Sequence, residues 1–135
     1  MVSESQRAEL EKVACSSREK AYAPYSNFHV GASVLGESGT IYSGANIENA
    51  SYSPTVCAER VAIFRAVMAG ERQIRAVAVC TENGVTPCGV CRQVMREFAV
   101  DLPVYIIDGN GQSRETTLQQ LLPDSFGPEQ LEIGD

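Results

Sequence analysis

The chain has 135 residues, 44% hydrophobic and 21% charged, enough for one well-buried domain over residues 1–135 and too few for two of ordinary size. Eleven Lys and Arg stand against 17 Asp and Glu, a net charge of −6 with the cations dispersed along the chain. That balance argues against a polynucleotide partner, whose affinity comes largely from phosphate contacts by basic side chains. No apolar run approaches the span of a bilayer, and the N-terminus lacks a basic start leading into an apolar stretch. A soluble, cytoplasmic protein with no membrane partner is the expectation.

Ser3 and Gln6 have the spacing of a capping box. Leu10, Val13, Ala14, Ser17 and Ala21 then fall on one helical face up to the break at Pro24, which predicts a first helix of four to five turns. Residues 30–35 and 40–45 flank Gly36-Glu37-Ser38-Gly39 and read as a hairpin. A second helix is predicted to open near Ser53-Pro54-Thr55 and to stop at Gly70, since Pro suits a helix start and Gly its end.

The apolar, β-branched run 74–81 predicts a central strand, with 82–87 as its exit loop. Thr86-Pro87 reads as an N-cap and first helical residue of a third helix ending near Phe98. A strand over 103–108, a turn at Gly109-Asn110-Gly111 and a short helix over 117–122 complete the pattern. The alternation of strands and helices from 40 to 108 implies an α/β sandwich whose sheet is at least partly parallel.

Five cysteines are present, an odd number, and Cys88 and Cys91 form a C-x-x-C, which in a reducing compartment favours metal or redox chemistry over disulfides. Cys57 and Glu59 form a C-x-E upstream. Three thiolates leave a fourth position open on a tetrahedral zinc, the mark of a catalytic rather than a structural site, and Glu59 need not be a ligand. Cys88 and Cys91 share a helix face. Cys57 and Glu59 would diverge in mid-helix, but at a first turn both rim its open end. Two helix N-termini facing each other beyond strand ends would enclose the metal.

Three thiolates and Zn²⁺ sum to −1, so charge must be withdrawn from the sulfurs; the helix N-termini and Arg60 are the candidates. Glu59 would then take the proton of a zinc-activated water and return it to the substrate. A structural zinc site or a thioredoxin-like dithiol is the plainer reading of C-x-x-C alone, but it leaves Cys57, Glu59 and Pro87 without a role. Cys15 and Cys80 read as packed small hydrophobes, and His29, the lone histidine, lies far in sequence from the C-x-E and reads as no ligand.

C-x-E followed by P-C-x-x-C, with Cys in the place of the commoner His, is the recognised signature of zinc nucleobase deaminases. With 21–28 (Ala-Tyr-Ala-Pro-Tyr-Ser-Asn-Phe), 44–52 (Gly-Ala-Asn-Ile-Glu-Asn-Ala-Ser-Tyr), 57–60, 87–94 and 121–126, the chain resembles the small homotetrameric cytidine deaminases along nearly its whole length. The resemblance implies a three-layer α/β/α sandwich around a mixed five-stranded sheet, and one Zn²⁺ per subunit held by Cys57, Cys88 and Cys91. It implies Glu59 as the catalytic acid and base and Arg60 against the thiolates. Phe28 matches the aromatic that packs on the pyrimidine, Asn46 and Glu48 match the residues that bond the ribose hydroxyls, and Ala58 and Tyr52 also fall at substrate-binding positions. Phe126 matches an aromatic that reaches a neighbouring subunit's site in a homotetramer. Hydrolysis of cytidine and 2′-deoxycytidine to uridine and 2′-deoxyuridine is the implied activity.

The segment 53–56 and Ala45 depart from the commoner family pattern, neither at a catalytic position. Four other readings share the zinc motifs. A blasticidin-type deaminase has no use for Asn46 and Glu48. A polynucleotide-editing deaminase needs a basic groove, and a deoxycytidylate deaminase needs cations for a 5′-phosphate. A non-catalytic zinc scaffold could dispense with Glu59.

Overall fold

A computed structural model describes residues 1–131 of the chain. Helix α1 spans Glu4–Ser17 and opens on the predicted capping box: Gln6 N–H donates to Ser3 Oγ at 3.1 Å and Ser3 N–H to Gln6 Oε1 at 3.0 Å. It passes into a single 3₁₀ turn, Arg18–Lys20, so Ala21 lies beyond the helix whose face it was expected to extend. Strands β1 (Gly31–Gly36) and β2 (Ile41–Ala45) form the predicted antiparallel hairpin.

Helix α2 (Ala58–Met68) begins later than the Pro54 signal predicts. Ile47 and Val56 exchange backbone hydrogen bonds at 2.9 Å in an isolated antiparallel bridge. Val56 is thereby held extended, and the helix starts only after Cys57, its N-cap at φ −70°, ψ 153°. Strand β3 covers Ile74–Cys80. Helix α3 (Gly89–Phe98) likewise starts two residues after the predicted point: Cys88, at φ −69°, ψ 168°, is the N-cap, not Thr86. Arg92 takes up the Thr86-Pro87 segment instead, donating from Nε to the Pro87 carbonyl at 2.7 Å and from Nη2 to Thr86 Oγ1 at 2.9 Å.

Strand β4 (Pro103–Ile107) is as predicted, and α4 (Leu118–Leu121) is capped by the Thr117 side chain. Between them lies β5, Ser113–Thr117, which has no counterpart in the pattern reading. Its sequence, Ser-Arg-Glu-Thr-Thr, is mostly exposed because it is an edge strand, and it lacks the apolar alternation of a half-buried one. The sheet order is β2-β1-β3-β4-β5, with β3 and β4 parallel and every other pair antiparallel.

Period-2 alternation divides the core between the two sheet faces. Ala32, Val34, Val77, Val79, Val104 and Ile106 pack against α2 and α3, while Leu35, Ala76, Ala78, Cys80, Tyr105 and Ile107 pack against Leu10 and Ala14 of α1. The result is the expected α/β/α sandwich with a mixed five-stranded sheet. Among the described residues no helix is long and apolar enough to cross a membrane.

Helix α2 lies directly on β2 at Gly44, where a Cβ would stand 2.4 Å from the Ala58 carbonyl oxygen and 2.5 Å from the Ala62 nitrogen. Both neighbours are helix backbone, so the clash can be relieved only by lifting the turn that carries Cys57 and Glu59. Gly44→Ala is expected to cost about 2–3 kcal/mol, at the upper end for overpacking. Denaturant unfolding checks this, and a stability equal to the parent's would show that α2 does not depend on this close approach.

Candidate metal centre and active site

Cys57 caps α2 and Cys88 caps α3, so two helix N-termini converge beyond the carboxyl end of β3. Cys91 sits one turn into α3, on the same side as Cys88. The three Sγ atoms lie within 4.8 Å of one another, with Cys57 to Cys88 at 3.9 Å and Cys88 to Cys91 at 3.6 Å. Thiolates at about 2.3 Å from a tetrahedral zinc stand about 3.8 Å apart, so this donor set fits a single Zn²⁺ with its fourth position open. Glu59 is not one of the cluster.

Neither helix N-terminus is capped by a side chain, which leaves first-turn N–H groups and the positive end of each helix dipole directed at the sulfurs. Arg60 Nη2 donates to Cys57 Sγ at 3.4 Å. Its Nε is buried and makes no hydrogen bond among the described residues, so the guanidinium is committed to this corner. The hydrogen bond from Cys91, and after it Arg60, pull the Cys57 thiol down to about 5 against the opposing effect of burial. Cys91 is pushed up, by its interaction with the neighbouring Cys57 and by burial. The surroundings of Cys57 thus favour a thiolate.

Glu59, only 4% exposed, occupies the second position of α2. Burial pushes its carboxyl up to about 7, with the Cys57 charge adding to the rise. A carboxyl near neutrality can both accept and donate a proton at physiological pH.

Beside the sulfurs is a cavity of about 290 Å³, lined by Phe28, Asn46, Glu48, Ala58 and Glu59 together with Cys57 and Cys88. Five of the expected site residues besides the metal ligands are therefore brought to one place. Asn46 and Glu48 stand on the segment following β2. Phe28 is held at its backbone, where its carbonyl accepts Asn46 Nδ2 at 2.8 Å. The rest of the lining includes Ser26, Val30, Thr55, Val56, Val79, Thr81, Val85 and Thr86, none of which was assigned a role from sequence. Apolar residues such as Val79 carry no signal apart from ordinary core residues, whereas Ser26 lies within the 21–28 motif.

Tyr52 and Phe126 lie outside this cavity. Tyr52 is exposed, in the left-handed region at φ 62°, and lines an adjoining hollow of about 310 Å³ with Tyr25 and Glu48. Phe126 is 55% exposed on the C-terminal segment. Cys15 and Cys80 belong to the core on the α1 face, and His29 only offers its carbonyl to Arg18 Nε at 3.0 Å. A wider hollow of about 720 Å³, lined by Arg7, Arg75, Asp101 and Glu115, lies at the opposite end of the strands and includes none of the cysteines.

Residues 4–107 match the family model described as the cytidine and deoxycytidylate deaminase zinc-binding region. The chain is 54% identical over 117 residues to a cytidine deaminase of Sporosarcina psychrophila, covering 84% of this chain and 86% of that one. It is 48% identical over 128 residues to a cytidine deaminase of Halalkalibacterium halodurans, covering 93% and 97%. Among solved structures, a cytidine deaminase from Burkholderia pseudomallei superposes with a TM-score of 0.84 at 46% identity, over 88% of this chain and 98% of that one.

Metal analysis of the purified protein is expected to give one zinc per chain. Cys91→Ser should lose it, since removing a ligand costs more than the roughly 10- to 100-fold lost with an outer partner. Full zinc occupancy in that variant would contradict the three-sulfur assignment.

Proposed function

The chain belongs to the cytidine and deoxycytidylate deaminase family, and on that premise we propose that it hydrolyses cytidine and 2′-deoxycytidine to uridine and 2′-deoxyuridine with release of ammonia, a step of pyrimidine salvage. The observation that carries the reading is the buried Glu59 carboxyl, in a cavity that lies beside three convergent sulfurs. Zn²⁺ held by Cys57, Cys88 and Cys91 supplies Lewis acidity that brings the pKa of water toward neutrality.

Glu59 accepts the proton as water adds to the amine-bearing carbon of the base. It delivers that proton to the ring nitrogen, then takes the proton of the added hydroxyl and passes it to the amine, which leaves as ammonia as the carbonyl forms, so the same carboxyl serves as base and as acid. Phe28 packs on the pyrimidine. Asn46 and Glu48 take the sugar hydroxyls, a carboxylate acceptor beside an amide that both donates and accepts. Ala58, fully buried at the first position of α2, offers the base only backbone. Arg60 draws charge from Cys57 and so offsets the surplus of the all-cysteine site.

The cavity lining favours a nucleoside over a nucleotide. It holds Glu48 and Glu59 and no Lys or Arg, so a 5′-phosphate would meet like charge without a cation. The overall −6 charge disfavours a polynucleotide. Asn46 and Glu48 in the lining favour a nucleoside's sugar over a blasticidin-type substrate, and Glu59 favours an enzyme over a zinc scaffold.

A cytoplasmic homotetramer with shared active sites is part of the same reading. Its support is Phe126, an exposed aromatic whose own carbonyl is fixed by Gln93 Nε2 at 2.9 Å. Such a ring lies outside its own cavity and is available to a neighbour's.

Glu59→Gln is expected to keep zinc and lose roughly 10²- to 10⁴-fold in kcat for ammonia release from cytidine. Arg60→Ala should also keep zinc and lose about 10- to 100-fold in turnover. Near-normal kcat in the first variant would overturn the acid and base role, and in the second the charge-balancing role.

A further inference from the structure

Ser26 connects two parts of the cavity that the reading above treats separately. Its hydroxyl donates to Glu48 Oε2, and Ser26 Oγ in turn accepts the Phe28 N–H at 3.0 Å. Glu48 Oε1 accepts two further backbone donors from this loop, Tyr25 N–H at 3.0 Å and Ser26 N–H at 3.1 Å. Among the described residues, Ser26 is the one side chain that donates to this carboxylate. Its hydroxyl is the largest cause holding Glu48 below the usual carboxylate range.

The Phe28 peptide is gripped at both ends. Its N–H goes to Ser26, and its carbonyl accepts Asn46 Nδ2, while Asn46 Oδ1 accepts Val30 N–H at 2.9 Å. Asn27, in the left-handed region at φ 58°, makes the turn between Ser26 and Phe28. A non-glycine residue held there is tolerated best when it is Asn, and such strain persists where surrounding contacts over-determine it.

We propose that Ser26 is a positioning residue that couples Glu48 to Phe28, so that one hydroxyl sets the sugar-binding carboxylate and the base-packing ring relative to each other. The proposal rests on the reading that Glu48 holds the sugar and Phe28 the base. A hydroxyl has one proton, and committing it to Glu48 leaves its lone pairs for Phe28 N–H. The two contacts are thus directional and simultaneous. Movement of the carboxylate as the sugar binds is transmitted through one oxygen to the peptide that carries the ring. The Ser26 to Glu48 hydrogen bond is charge-assisted and so the stronger of the two, which fixes the hydroxyl from which the Phe28 contact is made.

The test is a double-mutant cycle on KM for cytidine. Glu48→Gln, Phe28→Leu and their combination are measured with Ser26 present, in Ser26→Ala and in Ser26→Thr, with zinc content and melting temperature verifying that each variant is folded. With Ser26 present, the combined effect should depart from the product of the single effects by at least about 3-fold. In Ser26→Ala the two effects should multiply, and Ser26→Thr, which keeps the hydroxyl, should restore the departure. A departure that survives in Ser26→Ala, or simple multiplication in every background, overturns the coupling. If Glu48→Gln alone leaves KM for cytidine unchanged, the sugar reading fails and the proposal fails with it; a raised KM without Ser26-dependent coupling overturns the proposal alone.

Discussion

A metal site made only of thiolates carries more negative charge than its chemistry wants, and most of the local architecture follows from how that charge is answered. With Zn²⁺ the three sulfurs sum to −1, and a negative site is a weaker activator of water than a neutral one. Two helix N-termini and Arg60 supply the answer. For the helix ends to serve, Cys57 and Cys88 must sit at the caps, where uncapped N–H groups and aligned dipoles lie next to sulfur. The earlier starts that the prolines suggest, about one turn for α2 and two residues for α3, would take Cys57 and Cys88 off the cap positions.

The sheet supplies the rigidity behind this arrangement. The parallel β3 and β4, joined by α3, fix where α3 begins, and the absent side chain at Gly44 lets α2 rest on β2 at backbone contact. The Ile47 to Val56 bridge ties the segment carrying Asn46 and Glu48 to the residue preceding Cys57. The proposed sugar contacts and the Cys57 ligand are therefore set by one continuous piece of chain. Ser26 and Asn46 draw Phe28 onto the same frame, so the cavity's polar and aromatic walls are positioned by short hydrogen bonds to backbone.

Local signals in the sequence were read well where local chemistry decides the outcome. The Ser3 and Gln6 capping box and the hairpin around residues 36–39 both depend on neighbours in sequence. The metal ligands were legible because Cys-x-Glu and Pro-Cys-x-x-Cys pair residue types whose chemistry is rarely shared by a core. What was not legible depends on distant partners. The starts of α2 and α3 are delayed by the Val56 bridge and the Arg92 brace, neither of which has a local signature. Strand β5 is an exposed edge that pairs through backbone alone on a polar sequence, and the five-strand count came only from family resemblance. Tyr52 lies beside the cavity, not in it, because the 49–55 loop turns it outward through a left-handed residue that no pattern marks.

The central claim is that this cavity uses a three-cysteine zinc and Glu59 to deaminate a free nucleoside. Ultraviolet-monitored turnover of cytidine, 2′-deoxycytidine, cytidine monophosphate and blasticidin S, before and after removal of zinc by a chelator, tests it most directly. The account expects turnover of the first two alone, abolished by zinc removal and restored by one equivalent of added zinc. Undiminished turnover in zinc-free protein, or turnover of only the last two substrates, would contradict it.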